Sequence, residues 1–396
     1  MLSAFKYRIY PNKEQEKLLN SFLLSLCNLY NALKAGAKRR YKEEHKSTSL
    51  YILRKIALDI RKQNKELKSI HSQVVQNVAD RVHSALKNFL EKRARYPRFK
   101  KLHRCNSLTY PQSGFELKDG KLYLSKIGYV RIFIHRPLLG KIKQPTIKRD
   151  ADEWYAIFIT EREEPSKIPI QEIPANRTRS ADLGLEKFAV FDDSSSVEYP
   201  EFLRQSENKI KQIQHHFSRK QRGSKRYKML GRMLAKLHLH IKRQREDFQN
   251  KLIHNIFKES DVLILEKLNV SSMLRNHRLA KSISDASWNK FAIKAMFRAK
   301  MLGKHTIFVD PWGTTQFCNK CLSWVPKELD DREHTCLECG EKLDRDLNSA
   351  LLIKRLGILS CPPSDGGSSL AELESLPSLR EMVSQSNEAG SPKALA

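Results

Sequence analysis

Two cysteine pairs, and the acidic tripeptide behind them, restrict this chain more than any other feature. Cys318-Asn-Lys-Cys321 and Cys336-Leu-Glu-Cys339 form a C-x2-C-x14-C-x2-C pattern, about one residue short of the usual spacing for a four-cysteine zinc site. Each pair grips one face of a tetrahedral Zn2+, and the residues between them form a hairpin or loop. Sulfur fills all four positions, so no place is left for substrate and the ion is structural. Four free core cysteines would seldom fall into paired spacing, and two linked pairs suit a metal better than thiol exchange. Asp344-Arg345-Asp346 then opens the apolar helix "LNSALLIKRLG" within seven residues of Cys339. Thiolates hold soft metals and carboxylates hard ones. Two ions of different character are expected within a few turns of each other.

Charge narrows the partners. Lys and Arg total 73 against 44 Asp and Glu, a net +29. The segment from Cys361 onward is acidic, leaving +32 on residues 1–360. Such a field gathers polyanions. Anionic membrane is the competing target, but no apolar run reaches spanning length and no lipidation signal is present. Nucleic acid is the expected partner. "MLSAFKYRIYPNKEQ" lacks the apolar core of a signal peptide. Cys27, Cys105 and Cys361 stand alone, unlike a secreted disulfide framework, so a cytoplasmic, nucleoid-associated protein is expected.

Along the chain, "SAFKYRI" (3–9) reads as a strand ended by "YPN". Leu18, Leu19, Phe22, Leu26, Leu29 and Leu33, then Val75, Val78, Val82, Leu86 and Leu90, recur at helical spacing through residues 11–100. Residues 107–163 change period. "KLYLSKIGYVRIFIH" and "EWYAIFITERE" alternate as strands do. A small β-barrel or sandwich follows, with the first strand joining it and the helical block inserted. "RARYPRFKK" (93–101) mixes rings with cations. Tyr96 and Phe99 could stack on bases while Arg98 and Lys100 meet phosphates; the alternative is a linker docked on the bundle. A proline-spaced linker at 164–177 precedes the second half, and residues 361–396 read as a disordered tail.

Three acids stand out. Asp182 lies inside a short apolar strand in "RSADLGLEKFAVFDD", where an unbound charge is costly. Glu266 closes the apolar run of "DVLILEKLNV", where the carboxyl ends of parallel strands collect ligands. Asp344 and Asp346 begin a helix. Singly each has an ordinary explanation: a strand-end residue, a surface carboxylate, a helix cap. Jointly they can converge on Mg2+, two ions of which bind the attacking and leaving oxygens of a phosphodiester.

These segments, with "FKYRIYPNKEQEKLL", "HSQVVQNV", "YPRFKK", "FSRKQRGSKRYKML" and "TTQFCNKC", resemble in order the TnpB (OrfB) proteins of IS200/IS605-type transposons, relatives of the Cas12 nucleases. The resemblance covers about residues 3–357. It implies an α+β multidomain chain. A WED-like β-barrel would occupy 1–10 and 101–170, with a REC-like helical domain inserted at 11–100. A RuvC-type RNase H fold would occupy 171–310 and 342–360, interrupted by a zinc finger at 311–341. Asp182, Glu266 and Asp346 become the catalytic Mg2+ ligands, with Asp344 a neighbour that orders the loop. Lys267 replaces an acid common in the family and "NSALLI" departs from the usual pattern, yet no metal ligand is lost.

The implied activity is guide-RNA-directed cutting of double-stranded target DNA, leaving 5′-phosphates. The guide comes from the transposon end, and a short adjacent motif is read by the amino-terminal half. Gln76 is a candidate reader, since amides suit adenine edges; a solvent-facing glutamine is the alternative. The rivals are a transposase acting on transposon ends without RNA, and an RNA-guided repressor. Intact acids argue against the repressor.

Overall fold

The computed structural model describes residues 1–328 and 330–360; the tail expected beyond Cys361 lies outside the described residues. The chain forms two compact units, Met1–Glu163 and a second beginning at Glu164. No helix among the described residues is long and apolar enough to cross a membrane.

The first unit opens with strand β1 (Leu2–Tyr10) and the long helix α1 (Lys13–Glu44). Asn12 starts that helix. Its Oδ1 accepts from Gln15 N at 2.8 Å, and Gln15 Oε1 accepts from Asn12 N at 3.1 Å, a reciprocal cap. Helices α2 (Leu50–Gln63), α3 (Lys65–Lys68) and α4 (Ser72–Leu90) complete the helical block. Strands β2 (Ser107–Thr109), β3 (Phe115–Lys118), β4 (Lys121–Leu124), β5 (Gly128–Phe133), β6 (Lys141–Asp150) and β7 (Glu153–Glu161) follow. They join β1 in one antiparallel sheet ordered β2-β6-β7-β1-β5-β4-β3. Tyr7 and Ile9 of β1 pack in the same core as Leu19, Phe22 and Leu33 of α1 and Val75 and Val82 of α4, so helices and sheet share a single interior. Cys27 and Cys105 do not stand alone: they are disulfide-linked, with Cα atoms 5.8 Å apart and a sequence separation of 78. Tertiary folding brings α1 against the segment before β2, a meeting no local spacing reveals.

The second unit is built on five strands, ordered β10-β9-β8-β11-β12. β8 (Thr178–Asp182), β9 (Lys187–Phe191) and β10 (Ser196–Glu198) form an antiparallel meander. β11 (Val262–Glu266) and β12 (His305–Val309) extend it on the other side, parallel to β8. α5 (Phe202–Ser218) and α6 (Lys225–Glu259) run between β10 and β11, and α7 (Val270–Met273), α8 (Ala280–Ala286) and α9 (Trp288–Leu302) between β11 and β12. The hairpin β13 (Glu333–Thr335) and β14 (Lys342–Asp344) then leads into α10 (Arg345–Leu359). β11 is apolar from Val262 to Leu265 because both its faces are covered. Leu263 and Leu265 pack with Ile253, Ile256, Phe291 and Ala295 of α6 and α9, whereas Val262 and Ile264 pack with Ile353 of α10.

α10 approaches β11 closely at Gly357, where an added Cβ would lie 2.4 Å from Ile264 Cγ2. Gly357→Ala gains about 1 kcal/mol of helix propensity, but forcing a methyl into that contact costs about 1–3 kcal/mol. The overlap is deep and Ile264 is wholly buried, so the loss prevails. Gly357→Ala should lower the melting temperature of the second unit in a thermal scan; unchanged or raised stability would show that the contact relaxes without cost.

Candidate active site

Strand register places the first two acids. β8 and β11 pair in parallel with Ala181 opposite Leu265, so the next residue on each, Asp182 and Glu266, sits at the same end of adjacent strands. α10 packs across β8 and starts at Arg345, which brings Asp346 of its first turn to that edge. Asp182 is partly open to solvent yet densely surrounded by protein. Burial raises its pKa well above the usual carboxylate value, and the charges of Glu266 and Asp346 raise it further, with Arg345 opposing. Burial also raises Glu266, against a hydrogen bond from Thr314. A buried carboxylate crowded by two further acids is a setting that a cation would relieve, so this donor set suits a hard divalent ion.

Asp346 is held on two sides. Towards the sheet, Ser180 Oγ donates to the Ala350 carbonyl at 2.6 Å, and Lys354 Nζ donates to Asp192 at 2.7 Å. Towards the cysteines, the buried Asn348 donates through Nδ2 to the Phe317 carbonyl at 2.9 Å. Its Oδ1 accepts from Asn319 N and Nδ2, each at 3.0 Å. Arg355 adds bonds to the Asn319 and Lys320 carbonyls at 2.8 and 2.9 Å. Asp344 caps α10, accepting from Asp346 N and Leu347 N at 2.9 and 3.1 Å. Its carboxylate is therefore engaged by the backbone.

Cys318, Cys321, Cys336 and Cys339 come together with all four sulfurs within 4.8 Å of one another. Cys318 and Cys339 Sγ lie 3.7 Å apart, and Cys321 and Cys336 Sγ 3.4 Å apart. A tetrahedron with Zn–S bonds of about 2.3 Å has edges of about 3.8 Å, so the quartet fits Zn2+.

Two contributors carried no clear signal in sequence. The buried hydroxyl of Thr314 donates to Glu266 Oε1 and lies 3.0 Å from the Pro311 carbonyl. Arg345 donates through Nε to Asp346 at 3.1 Å and through Nη1 to the Asp331 carbonyl at 2.9 Å. Their positions, four residues before the first cysteine and between two acids, are the only sequence pointers.

The remaining candidates lie in the first unit. Gln76 is half-buried on α4. Tyr96 meets Phe89 edge-on at 5.2 Å. Phe99 is 57% exposed, with Lys34 Nζ 3.6 Å from its ring centre. Lys100 is pinned by its backbone, which exchanges bonds of 2.8 and 2.9 Å with the Asn31 amide, and its Nζ lies over Tyr30 at 3.9 Å. Arg98 is exposed. The segment is docked on α1, with Phe99 and Arg98 left facing solvent.

Residues 159–277 match a family described as a probable transposase, and residues 288–353 match a Cas12f1-like TNB domain. Residues 1–46 match a helix-turn-helix description, although here they form β1 and the single helix α1. A "Putative RNA-guided DNA endonuclease" of Streptomyces pristinaespiralis is 30% identical over 92% of this chain and 91% of its own length. "Putative RNA-guided DNA endonuclease InsQ" of Escherichia coli K12 is 27% identical over 91% and 94%. "TnpB-like protein L770" of Acanthamoeba polyphaga mimivirus is 23% identical over 90% and 74%. An α+β chain with a four-sulfur cluster beside a carboxylate-bearing sheet edge thus has full-length relatives. It belongs to the TnpB (OrfB) family of IS200/IS605-type elements.

Freshly purified protein should contain one zinc per chain by elemental analysis, and Cys318→Ser should lose it. Metal binding is folding free energy in such small sites, so the variant should also expose residues 311–341 to protease. Full stability with no zinc would contradict the assignment.

Proposed function

We propose that this chain is an RNA-guided, Mg2+-dependent DNA endonuclease of a mobile element, with Asp182, Glu266 and Asp346 as its catalytic acids. The observation that supports the reading is that Asp182 and Glu266 end adjacent parallel strands of a sheet ordered β10-β9-β8-β11-β12, with the Asp346 charge close enough to raise the Asp182 pKa. That order, with two parallel strands added to an antiparallel meander, is what a RuvC-type RNase H reading requires. The relatives' names agree with the activity.

Bound Mg2+ would supply an activated water and stabilise the departing 3′-oxygen. The chain's own part is to keep three carboxylates in place. β8 and β11 fix Asp182 and Glu266, and Thr314 orients the Glu266 carboxyl by engaging Oε1. α10, clamped between sheet and cysteine knuckle, fixes Asp346. Arg345 offsets the local negative charge until cations arrive. Guide RNA and double-stranded target DNA are the proposed partners, met by the cationic surface of residues 1–360. The first unit's sheet and inserted helices are the proposed grip on the guide–target duplex, with Gln76 and the Arg98–Lys100 segment as contacts.

Asp182→Ala, Glu266→Ala or Asp346→Ala should abolish cutting of a target plasmid while guided binding persists, since these groups serve the transition state. Asp344→Ala should keep cutting and cost about 1 kcal/mol of stability as a lost cap. Thr314→Val should cut about 10–100-fold more slowly, as is usual when a ligand's orienting partner is removed, and Thr314→Ser should recover most of the loss. An active Asp346→Ala beside a dead Asp344→Ala would overturn the assignment of the third acid.

A further inference from the structure

Beside Glu266 lies a cleft of about 380 Å³. Its floor is the carboxyl end of the sheet, with Leu183, Leu268 and Phe308, and one face of α9 forms its wall through Trp288, Ala292 and Met296. Glu266 lines it directly, and Leu183 is the residue after Asp182. The cleft therefore begins where the carboxylates end.

Its chemistry differs from the surface around it. In a chain of net +29, the cleft walls are almost wholly apolar, with Lys267 and the exposed amide of Asn289 as the polar groups besides Glu266. On the same side of α9, Ile293 and Met296 stand 53% and 50% exposed. The helix does not need them for packing, because Phe291, Ala295 and Ala299 already fill the core. Apolar groups left open next to a polar site mark a binding surface. Trp288 is 3% exposed, and its Nε1–H has no hydrogen-bond partner among the described residues.

We propose that this cleft is a nucleobase subsite, holding one unpaired base from the nucleotide next to the phosphodiester at Asp182, Glu266 and Asp346. The inference rests on the nuclease reading. A phosphodiester at the carboxylates brings its own nucleoside to the cleft before any other group. The planar faces of a base match apolar walls, while sugar and phosphate do not. The volume falls in the range of small-ligand pockets, about 300–1,000 Å³. A base enters only when unpaired, since its partner would have to follow it past α9. One amide at the mouth gives a weak choice among bases, so the subsite tolerates sequence.

The test uses the full chain with its guide RNA. 2-Aminopurine is placed in turn at each position flanking the mapped cut, and its fluorescence is read with Ca2+ in place of Mg2+ so that cutting is suppressed without removing the structural zinc. One position should brighten more than its neighbours on guided binding, because its base leaves the quenching stack for the cleft. An abasic residue at that position should slow cutting about tenfold, the scale of one lost base contact, without weakening target binding. Ala292→Leu, which narrows the cleft, should slow an intact target similarly and make the abasic target no slower still.

No flanking position brighter than its neighbours, or an abasic target cut at the full rate, overturns the subsite while guided cutting leaves the nuclease reading intact. Failure to bind RNA or cut DNA at all overturns the nuclease reading and the subsite together. Should Ala292→Leu fail to fold, the fluorescence and abasic measurements on the unaltered chain decide the matter.

Discussion

Mutual repulsion among Asp182, Glu266 and Asp346 is the constraint on which the second unit is organised. Burial and the neighbouring charges of Glu266 and Asp346 penalise the ionised form of Asp182, and burial penalises that of Glu266, so nothing local draws the group together. They meet because stronger interactions elsewhere leave them no choice. β8 and β11 are locked in parallel register by a core on both sheet faces. α10 is held by the Gly357–Ile264 approach and the Ser180–Ala350 bond. Packing of this kind can hold like charges close, and divalent cations then offset the repulsion.

The cysteine cluster has a mechanical role in this arrangement. The knuckle carrying Cys318 and Cys321 is tied through Asn319 and Phe317 to Asn348, two residues beyond Asp346. The stretch just before it delivers Thr314 to Glu266. Two of the three acids are thus oriented from the cysteine-bearing segment, one through a hydroxyl and one through a helix. That explains why soft and hard ligand sets lie so close in sequence. The four sulfurs brace the backbone that sets the carboxylates, and take no part in chemistry themselves.

Legibility in the sequence followed the range of the interaction. The Val262–Leu265 run announces β11, because burial on both faces needs continuous apolar residues, and cysteine spacing announces the four-sulfur cluster, because the ion dictates it. β6 was harder to read: lysines cover its open positions and Pro145 interrupts it. Long-range meetings left no trace. Cys27 and Cys105 are 78 residues apart, and Thr314 reaches Glu266 across 48 residues. "RARYPRFKK" reads locally either as a stacking segment or as a linker docked on the bundle, and only the fold shows Tyr96 packed on Phe89 and Lys34 over Phe99. The apolar side of α9 looks like ordinary core until the sheet shows which residues are already sufficient to fill it.

Anomalous scattering from crystals of the RNA-bound protein soaked in Mn2+ tests the central claim most directly. The account predicts manganese peaks within ligand distance of Asp182, Glu266 and Asp346 together, and none there in an Asp182→Ala crystal. Manganese absent from that edge, or held by Asp344 in place of Asp346, would contradict it.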